Sequence, residues 1–318
     1  MRMGSRWMIC LILASCLGED PDLDDKDDSE PVDTEPTPDT EPVVDTDCPD
    51  ADQDGAACDD CDDQDAERAP GKPERCNGLD DDCDEVISPV EVDTHAAGAC
   101  ESCFESGYWE MVRDSPDGED LWARLALGVR TNTACWYSET IDWMMLTLDK
   151  DGGEVECVYT GVRVEVGDER PPTDLMNTEH TWPKSLGGGE GSAECDLHHL
   201  FPTLSEANNK RANYPLRPVV REVDWTQGGS SLGEDSTGQT AFEPRDEHKG
   251  DASRALFYMA LRYGMELSPS DAELYRSWHA DDPVGSRDLA RSLMIRGRQG
   301  NANPFVVCPT TVSSVSLP

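Results

Sequence analysis

Apolar positions are unevenly spread along the 318 residues, and the spread sorts the chain into distinct stretches. Arg2 and Arg6 precede a short apolar run, Trp7 to Ala14, about half the ~20 residues that a helix needs to span a bilayer. That run reads as the core of a signal peptide. From residue 19 to about 47 apolar side chains almost disappear in favour of Asp, Glu, Pro and Thr. Such a segment cannot offset its ordering entropy, and the like charges extend it further. Apolar periodicity returns after residue 105. Residues 121–127 have helical character, and 154–160 alternate like a strand that ends at Gly161. Residues 251–263 form a strong helical pattern closed by Gly264, and 270–278 form another. Helices and strands in this mixture give an expected α+β domain.

Charge is just as unevenly spread. The chain carries 67 acidic and 26 basic side chains, a net charge of −41. Residues 17–94 hold 31 acids against 4 bases, a net −27, and residues 95–318 carry −16. An even distribution would oppose a nucleic-acid partner, whose phosphates Lys and Arg must neutralise. The later region therefore has to be judged apart from the acidic one.

Leu13-Ala14-Ser15-Cys16 resembles the lipobox of bacterial lipoproteins, which implies lipidation of Cys16; the alternative is an ordinary secretory signal with an incidental cysteine. From Cys48 onward, cysteines at 48, 58, 61, 76 and 83 sit among aspartates. Asp50, Asp52 and Asp54 followed by Gly55 have the spacing that presents alternate oxygens to one hard cation. An EF-hand loop needs Glu at its twelfth position, where this chain has Cys61, so the segment is no EF-hand. It resembles the Asp/Cys-rich metal-binding motif of secreted bacterial surface proteins, which implies Ca²⁺. Cys58/Cys61 and Cys100/Cys103 also allow zinc or redox pairs, although an oxidising compartment favours disulfides, and a plain acidic linker with two disulfides fits too. Setting Cys10 and Cys16 aside leaves 11 of 13 cysteines, an odd number, so at least one is unpaired or pairs between molecules.

The candidate chemistry lies between the strand and helix patterns. Residues 177–185 read Asn-Thr-Glu-His-Thr-Trp-Pro-Lys-Ser, followed by a glycine-rich loop from Gly187 to Gly191 and then Asp196-Leu197-His198-His199-Leu200-Phe201-Pro202. Thr203 and Glu206 have capping-box spacing, which predicts a helix from about Leu204 with Asn208 and Arg211 on one side. His198 and His199 are expected to alternate across a strand, one inward and one outward. The predicted unit is strand, loop, strand, helix. Phosphodiester hydrolysis needs a base to activate water and a cation to neutralise phosphate charge. His180 suits the base, while Glu179 and Asn208 offer one charged and one neutral oxygen to Mg²⁺.

These motifs resemble the bacterial endonuclease I family, the secreted or periplasmic non-specific nucleases of the His-Me finger (ββα-metal) class. The resemblance covers roughly residues 105–310 and extends through Lys249–Ala255 and Gln299–Phe305. It implies that His180 is the general base, that Glu179 and Asn208 are the metal ligands, and that the reaction is Mg²⁺- or Mn²⁺-dependent hydrolysis of DNA, and often RNA, to 5′-phosphate ends. Two departures stand out: Ala302 replaces a basic or polar residue, and the glycine-rich loop lacks a phosphate-supporting arginine. Lys184, Lys210, Arg211 and Arg254 are the candidate substitutes; Asp196 and His198 are candidates for a supporting role.

The expected layout is a lipoprotein signal over 1–15, an acidic disordered tether over 16–47, a calcium-binding Asp/Cys segment over 48–94 and a nuclease domain over 95–318. The expected partners are nucleic acid as substrate and the membrane through the lipid anchor only, with no protein partner evident. The expected location is the cell envelope, at the outer membrane or cell surface. A competing reading is a calcium-binding surface or adhesion lipoprotein with an inactive nuclease fold. A metalloprotease is disfavoured because no His-Glu-x-x-His segment occurs.

Overall fold

The computed structural model describes residues 51–52, 55–56, 60–62, 64–66, 68–72, 83, 103, 107–115, 117–130 and 135–318. The chain divides into two units, Met1–Asp45 and Thr46–Pro318, and every described residue lies in the second. The signal peptide, Cys16, the whole of the tether, Asp50 and Asp54 fall outside the described residues. No described helix is long and apolar enough to cross a membrane.

The fold is α+β. Helices α1 (Trp109–Asp114), α2 (Gly118–Gly128) and α3 (Tyr137–Trp143) come first, and α3 runs into a π-helical turn at Met144–Leu148. α2 buries Leu121, Trp122 and Leu125, the i, i+1, i+4 face of the apolar pattern. An antiparallel meander follows: β1 (Lys150–Asp151), β2 (Glu154–Glu156) and β3 (Arg163–Glu165). The strand expected over 154–160 stops at Glu156, because the chain turns through Cys157–Thr160 into Gly161 at φ +68°.

β4 (Met176–His180) and β5 (Leu200–Leu204) form a two-stranded antiparallel hairpin in which Glu179 lies opposite Phe201 and His180 opposite Leu200. Helix α4 (Ser205–Arg211) leaves β5 directly. The capping box does not form. Leu204 is the N-cap, Thr203 Oγ1 bonds the Leu204 carbonyl, and Glu206 accepts from Trp225 Nε1 at 3.3 Å. β5 continues straight into α4, so the Thr203 hydroxyl stays on the strand beside Cys157 Sγ, 3.5 Å away, and never reaches the helix N–H groups.

A second antiparallel meander follows: β6 (Arg221–Gln227), β7 (Ser230–Glu234) and β8 (Thr240–Glu243). Helix α5 (Asp246–Tyr263) then crosses the interior, and Gly264 ends it at φ +66°. Apolar and small residues on all sides bury most of α5, including Leu256, Phe257, Tyr258 and Met259. Gly250 sits against the Asp282 carbonyl, where a Cβ would collide, so α5 approaches the end of α6 (Pro269–Asp281) backbone to backbone. Ser268 caps α6 by accepting from Asp271 N, with Pro269 in its first turn. α7 (Ser286–Gln299) and short helices α8 (Pro304–Val307) and α9 (Thr311–Ser314) complete the chain.

Disulfides Cys61–Cys83, Cys103–Cys308 and Cys135–Cys195 tie described residues together. Neither Cys58-x-x-Cys61 nor Cys100-x-x-Cys103 closes on itself, since Cys61 and Cys103 bond to distant partners. Cys157 is a buried free thiol whose sulfur accepts from Leu204 N at 3.1 Å. No other described cysteine comes to it; it serves as an apolar plug beneath the hairpin.

Candidate functional site

Alternation along β4 sends Asn177 and Glu179 to one face and Thr178 and His180 to the other. α4 covers the first face. Asn208 Nδ2 donates to Asn177 Oδ1 at 2.7 Å and to the Thr178 carbonyl at 3.1 Å, and one turn later Arg211 Nη2 donates to the Thr181 carbonyl at 2.7 Å. The i, i+3 spacing of Asn208 and Arg211 thus stitches α4 along the strand.

His180 is buried on the other face, with Tyr137 and His199 rings 5.7 and 5.4 Å away. Its Nε2 lies 3.1 Å from the Glu194 carbonyl. A carbonyl only accepts, so Nε2 carries the proton and Nδ1 holds the lone pair. Burial, reinforced by neighbouring His199, pushes the His180 pKa down to about 3, which keeps the ring neutral at physiological pH. The turn supplying Glu194 comes from the glycine-rich loop. Gly188 packs against the Trp182 carbonyl, where a Cβ would collide, and the next turn, Gly191–Cys195, presents the Ala193 and Glu194 carbonyls to His199 and His180. Lys184 borders the same face; its ammonium bonds Glu194 Oε1 at 2.7 Å and stands 4.6 Å from the Tyr137 ring centre.

Glu179 faces Arg211 with Oε1 and Nε 3.0 Å apart, both side chains 2% exposed. The N–H does not aim at the oxygen, so both atoms lack a hydrogen bond despite complete burial. Burial pushes the Glu179 carboxyl up, while Arg211 and the Tyr159 phenol pull it back. Asn208 instead reaches an open cavity of about 360 Å³, lined also by Tyr137, Ser138, Ile141, Arg170, Asn177 and Thr178. With both amide bonds donated from Nδ2, Asn208 Oδ1 remains an acceptor for a cation. A neutral amide oxygen at the cavity wall and a carboxylate oxygen short of a hydrogen bond suit a hard divalent ion. In this structure Glu179 sits deeper than Asn208, against Arg211.

Asp196 is fully buried and joins several elements. It accepts from His198 N at 3.1 Å, Tyr258 and Tyr263 hydroxyls at 2.8 Å and Gln299 Nε2 at 2.8 Å, and stands 3.3 Å from Arg262 Nε. Burial raises the Asp196 carboxyl, but His198, Gln299 and Arg262 outweigh it and leave the group below its usual range. Asp196 therefore caps the turn Leu197–His199 and docks it to α5 and α7. His198 and His199 occupy that tight turn and not a strand, so both are buried, contrary to the expected alternation. His198 Nε2 bonds the Asn301 carbonyl at 3.0 Å; His199 Nε2 bonds the Ala193 carbonyl at 2.7 Å.

The four candidate cations separate. Arg211 is buried beneath Glu179. Arg254 is 1% exposed, held by Asp251 at 2.9 Å and the Asp282 carbonyl at 2.7 Å, too enclosed to meet a phosphate. Lys184 borders the His180 face, and half-buried Lys210 lies on α4. Ala302 is packed in the core, its carbonyl accepting from Tyr108 at 2.9 Å, so this position governs packing. Sequence reading missed Tyr137, Asn177 and Arg170 at the cavity, and the Glu194 carbonyl, a backbone group without a side-chain signature.

Asp52 is the one expected calcium ligand among the described residues and is half-buried. Nearby, Asp60, Cys61 and Cys83 cluster, but the two sulfurs are joined in a disulfide and offer no thiolate.

The endonuclease I family profile matches residues 126–310, more than half of the chain, and a profile of a proposed metal-binding motif matches residues 60–89. The extracellular ribonuclease of Bacillus subtilis (strain 168) is 32% identical over 236 residues, covering 67% of this chain and 80% of that protein. The extracellular ribonuclease of Bacillus amyloliquefaciens is 34% identical over 157 residues, and the periplasmic deoxyribonuclease of Aeromonas hydrophila is 32% identical over 118. Those matches cover 42% and 36% of this chain, which spans only about half the length of each of these two relatives, 51% and 47%. The β4–β5–α4 unit is a His-Me finger, and the chain belongs to the endonuclease I family.

Proposed function

We propose that the chain is a secreted endonuclease that hydrolyses phosphodiester bonds of DNA and RNA to 5′-phosphate ends with a divalent cation, Mg²⁺ or Mn²⁺, and is held at the cell envelope through Cys16. The observation that carries the reading is His180: a buried, neutral imidazole whose Nε2 is fixed by the Glu194 carbonyl, leaving Nδ1 as the base. Nδ1 takes a proton from water, the water oxygen forms the new bond to phosphorus, and the bond to the 3′ oxygen breaks, leaving the phosphate on the 5′ side. Glu179 and Asn208 would hold the cation, which when bound neutralises phosphate and leaving-group charge. The relatives' names support both substrates, two being ribonucleases and one a deoxyribonuclease.

The test incubates the purified protein and its His180→Ala variant with plasmid DNA and with RNA, in Mg²⁺, Mn²⁺ or EDTA. Loss of supercoiled DNA only with metal and intact His180 is expected, and product ends should accept a 5′ label only after phosphatase treatment. Full activity in His180→Ala, or none with any cation, would overturn the enzyme reading. Cys16→Ala should move the protein from the membrane fraction to the soluble one. For residues 48–94 we propose Ca²⁺ binding, and calorimetric silence of the whole protein at millimolar Ca²⁺ defeats it.

A further inference from the structure

We propose that Arg170 supplies the phosphate contact that the glycine-rich loop lacks, a role that rests on the nuclease reading of the same site. Among the cations that flank the finger, Arg211 and Arg254 are buried in ion pairs. Lys184 is drawn onto Glu194 at 2.7 Å. Lys210 does not line the cavity that Asn208 enters. Arg170 does, together with Tyr137, Asn177, Thr178 and Asn208. It precedes Pro171-Pro172, and two consecutive prolines stiffen the approach to β4 and fix where the guanidinium stands.

The partner of Arg170 suits a contact that is exchanged. Arg170 Nε lies 3.0 Å from Asp142 Oδ1, with 31% and 46% of the two side chains exposed. A half-exposed pair of this kind is weak and screened by salt. A phosphodiester entering beside Asn208 offers the same guanidinium a planar pair of oxygens in a less solvated place, where bidentate bonds are stronger. Asp142 sits on α3, the helix that also brings Tyr137 against His180, so this exchange occurs on the wall shared by the cavity and the base.

The experiment measures binding of a fluorescently labelled oligonucleotide by anisotropy in EDTA, and cleavage with Mg²⁺ or Mn²⁺, each across a salt series. Arg170→Ala should weaken binding about tenfold at low salt and make the slope of log affinity against log salt shallower by about one, the signature of one lost phosphate contact. Arg170→Lys should keep the slope. Asp142→Asn, which releases the guanidinium, should tighten binding at low salt. In the cleavage arm, KM should rise and kcat should fall for Arg170→Ala, with an unchanged melting temperature. A wild-type slope in Arg170→Ala overturns the assignment whether or not the protein cleaves. Normal binding with no cleavage by the wild-type protein overturns the nuclease reading and leaves the binding arm to decide on Arg170.

Discussion

Glu179 and Arg211 place opposite charges 3.0 Å apart where water hardly reaches, and such a pair is costly to break from one side. Arg211→Ala leaves a carboxylate buried alone and should cost about 3–5 kcal/mol, read as a lower urea midpoint. Replacing both residues with apolar ones of similar volume, Glu179→Leu with Arg211→Met, should recover most of that loss while eliminating metal-dependent cleavage. A double variant no more stable than Arg211→Ala would show that the pair contributes more than mutual compensation. At this scale the candidate residues were legible in side-chain type and spacing: Glu179, His180 and Asn208 stand out in the sequence and lie together on β4 and α4. It was silent on the Glu194 and Ala193 carbonyls that fix two histidine tautomers, since any residue offers that atom. It also misjudged His198, because the 3₁₀ turn that buries it is set by long-range bonds from Tyr258, Tyr263 and Gln299 to Asp196.

Helices with dense apolar periodicity were visible before folding over residues 121–127 and 251–263, inside the observed 118–128 and 246–263, as was the strand–loop–strand–helix order of the finger. α7 was not: its core-facing stripe, half-buried Leu289 and Leu293 with buried Ile295, is narrow and shares its face with polar Ser292 and Gln299. β6 escaped too, being exposed along most of its length. The disulfides illustrate the same limit, since pairing depends on three-dimensional proximity. Their positions give a discriminating prediction. Cys135–Cys195 anchors the turn whose Glu194 and Ala193 carbonyls hold His180 and His199, whereas Cys103–Cys308 joins two ends of the core across 205 residues. Replacing the second pair with serine should cost about 5 kcal/mol by loop entropy yet leave kcat at 25 °C near wild type. Replacing Cys135 and Cys195 should lower kcat about tenfold or more, since small displacements of a catalytic group are expensive. Equal effects of both on kcat would sever the link between that turn and the base.

Over the whole molecule, residues 95–318 carry a net charge of −16, and described arginines that could offset it locally are committed to acidic partners. Arg211 is internal, and Arg217 is committed to Asp271 at 2.8 Å and Asp235 at 3.1 Å. Long-range attraction to nucleic acid should therefore be weak, and under the proposed mechanism attachment would rest on the cation and on short-range contacts. The histidines define a second global property. Burial depresses His180 to about 3 and His198 and His279 to about 4, with Arg254 adding repulsion at His279, and burial also lowers His199. Each ordinary histidine titrates near 6.5 in the unfolded chain. The folded state thus excludes protons that the unfolded state accepts, so stability is complete above about pH 6.5 and falls as pH drops toward 4. Asp288, raised to about 6 by burial and neighbouring Asp251, acts in the opposite sense, as do the Glu179 and Asp282 carboxyls that burial raises. Unfolding at pH 5 should therefore take up protons net, the buried histidines outnumbering the raised carboxyls. Calorimetry in buffers of different ionisation enthalpy measures that uptake directly. His279→Gln should reduce it by about one and flatten the fall of melting temperature between pH 6.5 and 4.5, whereas an uptake near zero in the wild-type protein would mean that these rings are reached by water in the folded state.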